Sequence, residues 1–278
     1  MSGGKWLLLL AGGIAAWAVW CRRRGLAQSR RRAELLATSM PGDWRRFLIA
    51  NVPLFERLPD ELKEQVEGHV QVLLDEVVFE GHNGLEMTDE IRVTIAGQAG
   101  FLLLNQKGFF PDTLRSVIVY PGAYSARTVQ PGVGGLHTES EQTVLGQSWD
   151  VGVVVLAWDN TRHSAANPND GHNLVLHEFA HQLDQASGAA DGTPVLRRRD
   201  RYAEWRRAMS KTYRDFLEDT DQGHKTVMDD YGATNPAEFF AVATETFFEK
   251  SRQLKKRRPE LYDELCEYYR TDPLKWPG

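Results

Sequence analysis

Two histidines four residues apart, with a glutamate directly after the first, stand in the run Leu174-Val175-Leu176-His177-Glu178-Phe179-Ala180-His181-Gln182-Leu183. In a helix, positions i and i+4 lie one turn apart on the same face, so both imidazoles can reach one cation. Glu178 falls beside that face, where a carboxylate can take a proton from metal-activated water. This is the chemistry of a zinc-dependent hydrolase. The helix is credible from its own pattern: Val175, Phe179 and Leu183 recur every four residues with Leu176 beside them, and Asp170 or Asn173 supplies an N-cap.

A catalytic zinc site needs a third protein ligand and leaves its fourth position to water. A third histidine six residues on would require Gly at 184 and His at 187, but Asp184 and Ser187 stand there. The other common source is a glutamate on a later helix, and Asn235-Pro236-Ala237-Glu238 opens one. Two readings of Glu238 compete. It is a metal ligand, or it completes a capping pattern with Asn235 at the N-cap and Pro236 at the first helical position. Glu245 lies two turns later on the same face, as a rival ligand, a partner orienting a histidine, or an exposed residue. Tyr231, just before this helix, either donates to a developing oxyanion or simply packs. Asp184 either orients a histidine or faces water, and His163 and His172 read as solvated loop histidines.

These residues need elements to hold them. The stretch 35–105 reads mainly helical, with helix starts at Leu58-Pro59-Asp60-Glu61 and at Thr88-Asp89-Glu90. The middle changes period: 116–120 and 151–156 read as strands, 136–146 as a third, and Pro131-Gly132-Val133-Gly134-Gly135 as a turn. The strand at 151–156 is either an edge along which an extended peptide pairs, or a buried core strand. Residues 159–173 are rich in turn formers and read as a loop. Helices follow over 172–187, 198–218, 236–250 and 258–270. Strands segregated between helical parts give an α+β class: a mainly helical N-terminal part, a central mixed or antiparallel sheet, and C-terminal helices.

The 278 residues are 42% hydrophobic and 26% charged, ordinary for a folded globular chain. Two cysteines, Cys21 and Cys266, cannot build a disulfide framework or a cysteine zinc cluster. The net charge of −5 hides an asymmetry: residues 1–34 hold seven basic side chains and only Glu34 as an acid, leaving 26 basic against 37 acidic residues beyond them. An acidic body argues against nucleic acid as a partner. Residues 6–21 carry no charge and run into Arg22-Arg23-Arg24. With Lys5 and three tryptophans to extend its reach, this segment reads as a single-pass membrane anchor rather than a cleaved signal, whose charge precedes the apolar run. The arginines after it place the body in the cytoplasm, at the inner face of a bacterial membrane, with a cytoplasmic protein as the alternative.

Several of these segments resemble known zinc peptidases. His177-Glu178-Phe179-Ala180-His181 and the stretch from Tyr231 to Phe240 resemble the zinc helix and third-ligand segment of anthrax lethal factor. The closer resemblance is to the Mlc titration factor A family of bacterial peptidases. It rests on Gly171-His172-Asn173, on 177–184, on Pro236-Ala237-Glu238 with Phe240-Ala241-Val242, Glu245 and Phe247-Phe248, and on Gly84-Leu85-Glu86-Met87-Thr88-Asp89-Glu90 and 116–121. The resemblance implies a zincin-like (gluzincin) domain over 45–272; the anchor read above from charge and length spans 1–24, a basic juxtamembrane segment spans 25–44, and neither is a necessary part of that family. It implies one zinc ion on His177, His181 and Glu238, Glu178 as general base and Tyr231 as transition-state stabiliser. The lethal factor's second glutamate, one turn after its ligand, falls here on Val242. The family's described roles imply aminopeptidase-type cleavage of a peptide or protein substrate, or sequestration of the glucose-responsive transcriptional repressor Mlc.

Overall fold

Helices open the chain, a small sheet interrupts them, and helices return to carry the candidate site. The computed structural model describes residues 3–106, 108–111, 113–131, 137–144, 146–149 and 152–277, with the side chains of 3–16 and 124–149 left out. The chain divides into two units, Met1–Ser39 and Met40–Gly278. The first is a single helix, α1 (Gly3–Ala37), that runs unbroken through the arginine clusters. The anchor expected over 1–24 finds no support: among the described residues no helix is long and apolar enough to cross a membrane. The uncharged run of sixteen residues falls just short of the usual ~17–25, and the same helix then continues into six arginines.

In the second unit, α2 (Gly42–Asn51), α3 (Pro53–Glu56) and α4 (Asp60–Glu76) precede strand β1 (Val78–Gly81), and α5 (Asp89–Gly100) follows it. Pro59 precedes α4, and the Thr88 hydroxyl accepts the Ile91 amide at the start of α5, so both expected starts are realised. Strands β2 (Ser116–Tyr120), β3 (Tyr124–Pro131), β4 (His137–Val144), β5 (Gly146–Trp149) and β6 (Val153–Ala157) come next. The main sheet is mixed, in the order β1-β2-β6-β5, with β1, β2 and β6 parallel and β5 antiparallel. Val117 pairs with Val154 and Val119 with Leu156, and all four are buried. The third expected strand exists as β4, and among the described residues it pairs with β3 alone, in a separate two-stranded sheet. The turn expected over 131–135 lies, apart from Pro131, outside the described residues.

Two expectations are corrected here. The strand read at 151–156 is β6, and it is no edge, because β2 and β5 use both sides of its backbone. The loop read over 159–173 begins as a helix, α6 (Trp158–Ala166), with Asp159 in its first turn. Asp159 and Asn160 lie in the first turn of that helix, after an N-cap at Ala157, where an acidic side chain suits the helix N-terminus. Beyond α6 lie α7 (Leu174–Gln185), α8 (Tyr202–Asp221), α9 (Pro236–Glu249), α10 (Ser251–Arg257) and α11 (Pro259–Tyr269). The aromatic and aliphatic faces of α7, α8, α9 and α11 contribute Phe179, Trp205, Phe216, Phe240, Phe247 and Tyr269 to the core, which continues through the N-terminal helices and the sheet. The two helices that bear the candidate ligands, α7 and α9, pack directly on each other.

Candidate metal centre

Helix α7 forms because one of its faces is apolar throughout: Val175, Leu176, Phe179 and Ala180 are buried in the core. Phe179 stands edge-on to Phe110 with ring centroids 5.0 Å apart, which fixes the rotation of the helix. Asn173 caps it, its side-chain oxygen accepting the Leu176 N–H at 3.0 Å. Fixing that face and that cap leaves His177 and His181 one turn apart, both turned toward α9.

Helix α9 begins with Asn235 at its N-cap, accepting the Glu238 N–H at 3.0 Å, and Pro236 in the first turn. The two competing readings of Glu238 thus describe different parts of one residue. Its backbone is capped by Asn235, and its side chain is free for the histidines. Glu238 Oε2 lies 2.9 Å from His177 Nε2 and 3.2 Å from His181 Nε2, and the two Nε2 atoms are 3.2 Å apart. These three residues are the one set of three or more potential ligands found together among the described residues.

The triangle fits a small divalent cation. Tetrahedral zinc at about 2.0–2.1 Å from each nitrogen and oxygen ligand separates those ligands by about 3.3–3.4 Å. The observed edges are only slightly shorter. The donor set of two imidazole nitrogens and one carboxylate oxygen suits zinc and leaves one position open. His177 Nδ1 faces Glu245 Oε1 at 2.7 Å. A carboxylate accepts only, so Nδ1–H donates to Glu245 Oε1; Nε2 donates to Glu238 Oε2 and would turn its lone pair to a cation held at the shared point. Glu245 therefore orients a histidine. It sits three positions beyond Val242, the place where the resemblance would put such a carboxylate.

Electrostatics sharpen the assignment. Burial acts against the charge on Glu238, but hydrogen bonds from His177 and His181 outweigh it and hold its pKa down at about 2. Burial opposes a charged His177 too, yet Glu245 and its bond to Glu238 raise its pKa well above the ordinary value. Glu178 is buried between these groups, and burial lifts it to about 7 against the pull of His177 and His181. A carboxyl poised near neutrality can both take and return a proton. Tyr231 stands on the short turn Asp230–Ala233, whose first free amide, that of Tyr231, is accepted by Asp229 Oδ1 at 2.8 Å. Its ring is 55% exposed and tilted over His177 at 5.9 Å, and partial burial with the facing Glu238 and Glu178 carboxylates raises the pKa of its phenol.

Other candidates fall away. Asp184 does not reach a histidine: it is fully buried and its Oδ2 accepts the Gly192 N–H at 2.9 Å. His163 lies exposed in the last turn of α6, and His172 is exposed with its Nε2 3.6 Å from Asp229. Sequence reasoning missed Glu249, buried and linked to His177 through Asn173 and Glu245 by three successive hydrogen bonds. Its spacing from Glu238, eleven residues or about three helical turns, was the available signal.

Two histidines and a glutamate on one helix, closed by a carboxylate from a second helix, are a group that could hold a metal ion, as a metallopeptidase requires. The chain belongs to the glucose-regulated metallo-peptidase M90 family, whose profile matches residues 26–270. An uncharacterized protein of Synechocystis sp. is 37% identical over 245 residues, covering 88% of this chain and 89% of its own length. Proteins named Mlc titration factor A from Yersinia pestis and Yersinia pseudotuberculosis are 31% identical over 246 residues, with 87% of each chain covered.

Proposed function

We propose that this chain is a zinc-dependent peptidase of zincin-like (gluzincin) architecture, with residues 45–272 as its catalytic domain and an aminopeptidase-type action on peptides. His177, His181 and Glu238 hold the ion, Glu178 is the general base, and Tyr231 stabilises the transition state. The observation that carries this reading is the convergence of His177 Nε2, His181 Nε2 and Glu238 Oε2 within 3.2 Å of one another, beside a buried Glu178.

When bound, zinc supplies a Lewis acid that acidifies water and polarises a carbonyl. Glu178, shielded from solvent, takes the proton of the attacking water and delivers it to the leaving amine. The Tyr231 phenol donates to the oxyanion that develops on the scissile carbonyl. Glu245 keeps the His177 proton on Nδ1 throughout. Replacing Glu178 with Gln lowers turnover by about 10²–10⁴-fold, the span of general acid–base catalysis, while zinc content stays at one per chain. Native activity in that variant would remove the mechanism.

A second reading is favoured by the relatives named Mlc titration factor A. In it the chain sequesters a transcriptional repressor of the Mlc kind, and peptide hydrolysis is secondary. A zinc-loaded protein that leaves a broad peptide library intact but retains such a repressor on a column would favour it.

A further inference from the structure

Helix α9 carries more acid on its inner face than one metal site uses. Glu238, Glu245 and Glu249 are separated by seven and four residues, so all three fall on one side of the helix. Glu245 serves two partners: Oε1 receives His177 Nδ1–H, and Oε2 receives the Asn173 N–H at 2.5 Å. Glu249 touches neither histidine. It is 4% exposed, and its described partners are Asn173 Nδ2, donating to Oε1 at 3.1 Å, and the Gly171 N–H, donating to Oε2 at 3.1 Å. Burying a carboxyl is costly, and here burial pushes its pKa up to about 8. A helix end can be capped without such a residue, so its presence calls for a role.

The geometry around it is over-determined. The Asn173 oxygen is committed to Leu176 N–H, so its amide cannot turn over and Nδ2 must face Glu249. Gly171 has φ +76 in the left-handed region, and a Cβ there would lie 2.7 Å from Lys250 Cδ. The entry to α7 thus lies against the end of α9, tied by Glu245 and Glu249. His177 follows one turn later.

We propose that Glu249 is a positioning residue for the metal centre: by holding Gly171 and Asn173 it sets the height of the first turn of α7, and hence of His177, against Glu238 on the same helix as itself. The inference rests on the zinc reading above and extends it to a residue outside the ligands and their direct partners.

An exchange of groups tests it in the full-length protein. In Glu249→Gln the new amide meets a donor on either side, Asn173 Nδ2 or Gly171 N–H, and one bond is lost. In the double variant Glu249→Gln with Asn173→Asp, carboxylate and amide trade places: the new amide at position 249 donates to the new carboxylate at position 173 and still accepts from Gly171. Zinc affinity, read by competition with a chromophoric chelator, falls about tenfold in the single variant, at the low end for groups that orient metal ligands. It returns to within about twofold of native in the exchange. The metal-free thermal midpoint of the single variant stays within about 4 °C of native. Amide hydrogen exchange over 171–176 in metal-free protein quickens in the single variant and recovers in the double. Native zinc affinity in Glu249→Gln, or affinity and midpoint falling together with no recovery in the exchange, would overturn the proposal. A native chain that takes up no zinc would sink the zinc reading instead. The amide-exchange result would then still decide the matter, unchanged rates in Glu249→Gln overturning the proposal.

Discussion

Two largely enclosed histidines, His69 and His177, behave in opposite ways. His69, in the middle of α4, is packed edge-on to Phe109 with its Nδ1 3.2 Å from the Gly100 carbonyl oxygen. Burial takes its pKa down to about 4, so it is a neutral core residue. His177 in α7 is nearly as enclosed, but it faces Glu238 and Glu245, and those carboxylates reverse the effect of burial. Burial makes a histidine expensive to charge; facing carboxylates reverse that and favour positive charge at the site. A third case completes the series. His172 is exposed and has one carboxylate at 3.6 Å, without a second histidine or a shared acceptor.

The strongest way to break this contrast is to remove the shared acceptor. Glu238→Ala takes away one of three ligands and the group that draws both Nε2 atoms together. Zinc content after dialysis falls to near zero, a larger loss than the about 10–100-fold that accompanies loss of a ligand's hydrogen-bond partner. Glu245→Gln gives that smaller loss, because Nδ1–H of His177 keeps an acceptor but loses its ionic one. Stoichiometric zinc in Glu238→Ala would show that the histidine pair suffices. Tyr231→Phe tests the open side of the centre. Peptide kcat falls by about 10²-fold with KM and zinc content unchanged, the usual cost of losing one oxyanion donor. A change confined to KM would place Tyr231 in substrate binding instead.

His69 supplies the opposite arm. Its folded pKa is about 4 and its ordinary value 6.5. Between those values the unfolded chain binds the proton and the folded chain does not, so stability falls as pH drops from 6.5 to 4. The loss from this group alone amounts to ~3 kcal/mol by 1.36 kcal/mol per unit. Urea midpoints of the metal-free protein at pH 6.5 and 4.5, compared with those of His69→Gln, isolate it. An equal pH slope in both proteins would mean that His69 does not contribute.

What was legible in the chain follows the same division. The paired histidines, the cap at Asn173 and the capped start at Asn235 are local patterns with fixed helical spacing, and α7 and α9 could be read from them. Whether Glu238 was cap or ligand could not, because backbone and side chain of one residue do both jobs. Strand β1 escaped notice because its four residues, mostly exposed, follow directly on the apolar face of α4. The place of β6 inside the sheet depends on β5, a partner of only four residues, and no period in β6 reports it. Glu249 precedes Lys250 and Arg252, and in sequence it looks like one charge of a solvated helix end. Its burial arises only when α7 docks on α9.

The smallest expected effect sharpens the rule most. His172 neighbours Asn173, the cap of the metal helix, and by sequence proximity alone it ranks with the ligands. It is more than half exposed, and its contact to Asp229 belongs to the class of surface ion pairs that contribute at most ~1 kcal/mol. Asp229 holds the Tyr231 amide through its other oxygen, so it does not depend on His172 for its place. His172→Ala therefore keeps one zinc per chain and peptide kcat/KM within about twofold of native, a change well below 1.4 kcal/mol in the barrier. A tenfold loss of either quantity would mean that an exposed imidazole with a single distant carboxylate takes part in the chemistry. Enclosure by shared carboxylates would then no longer separate working histidines from idle ones in this protein.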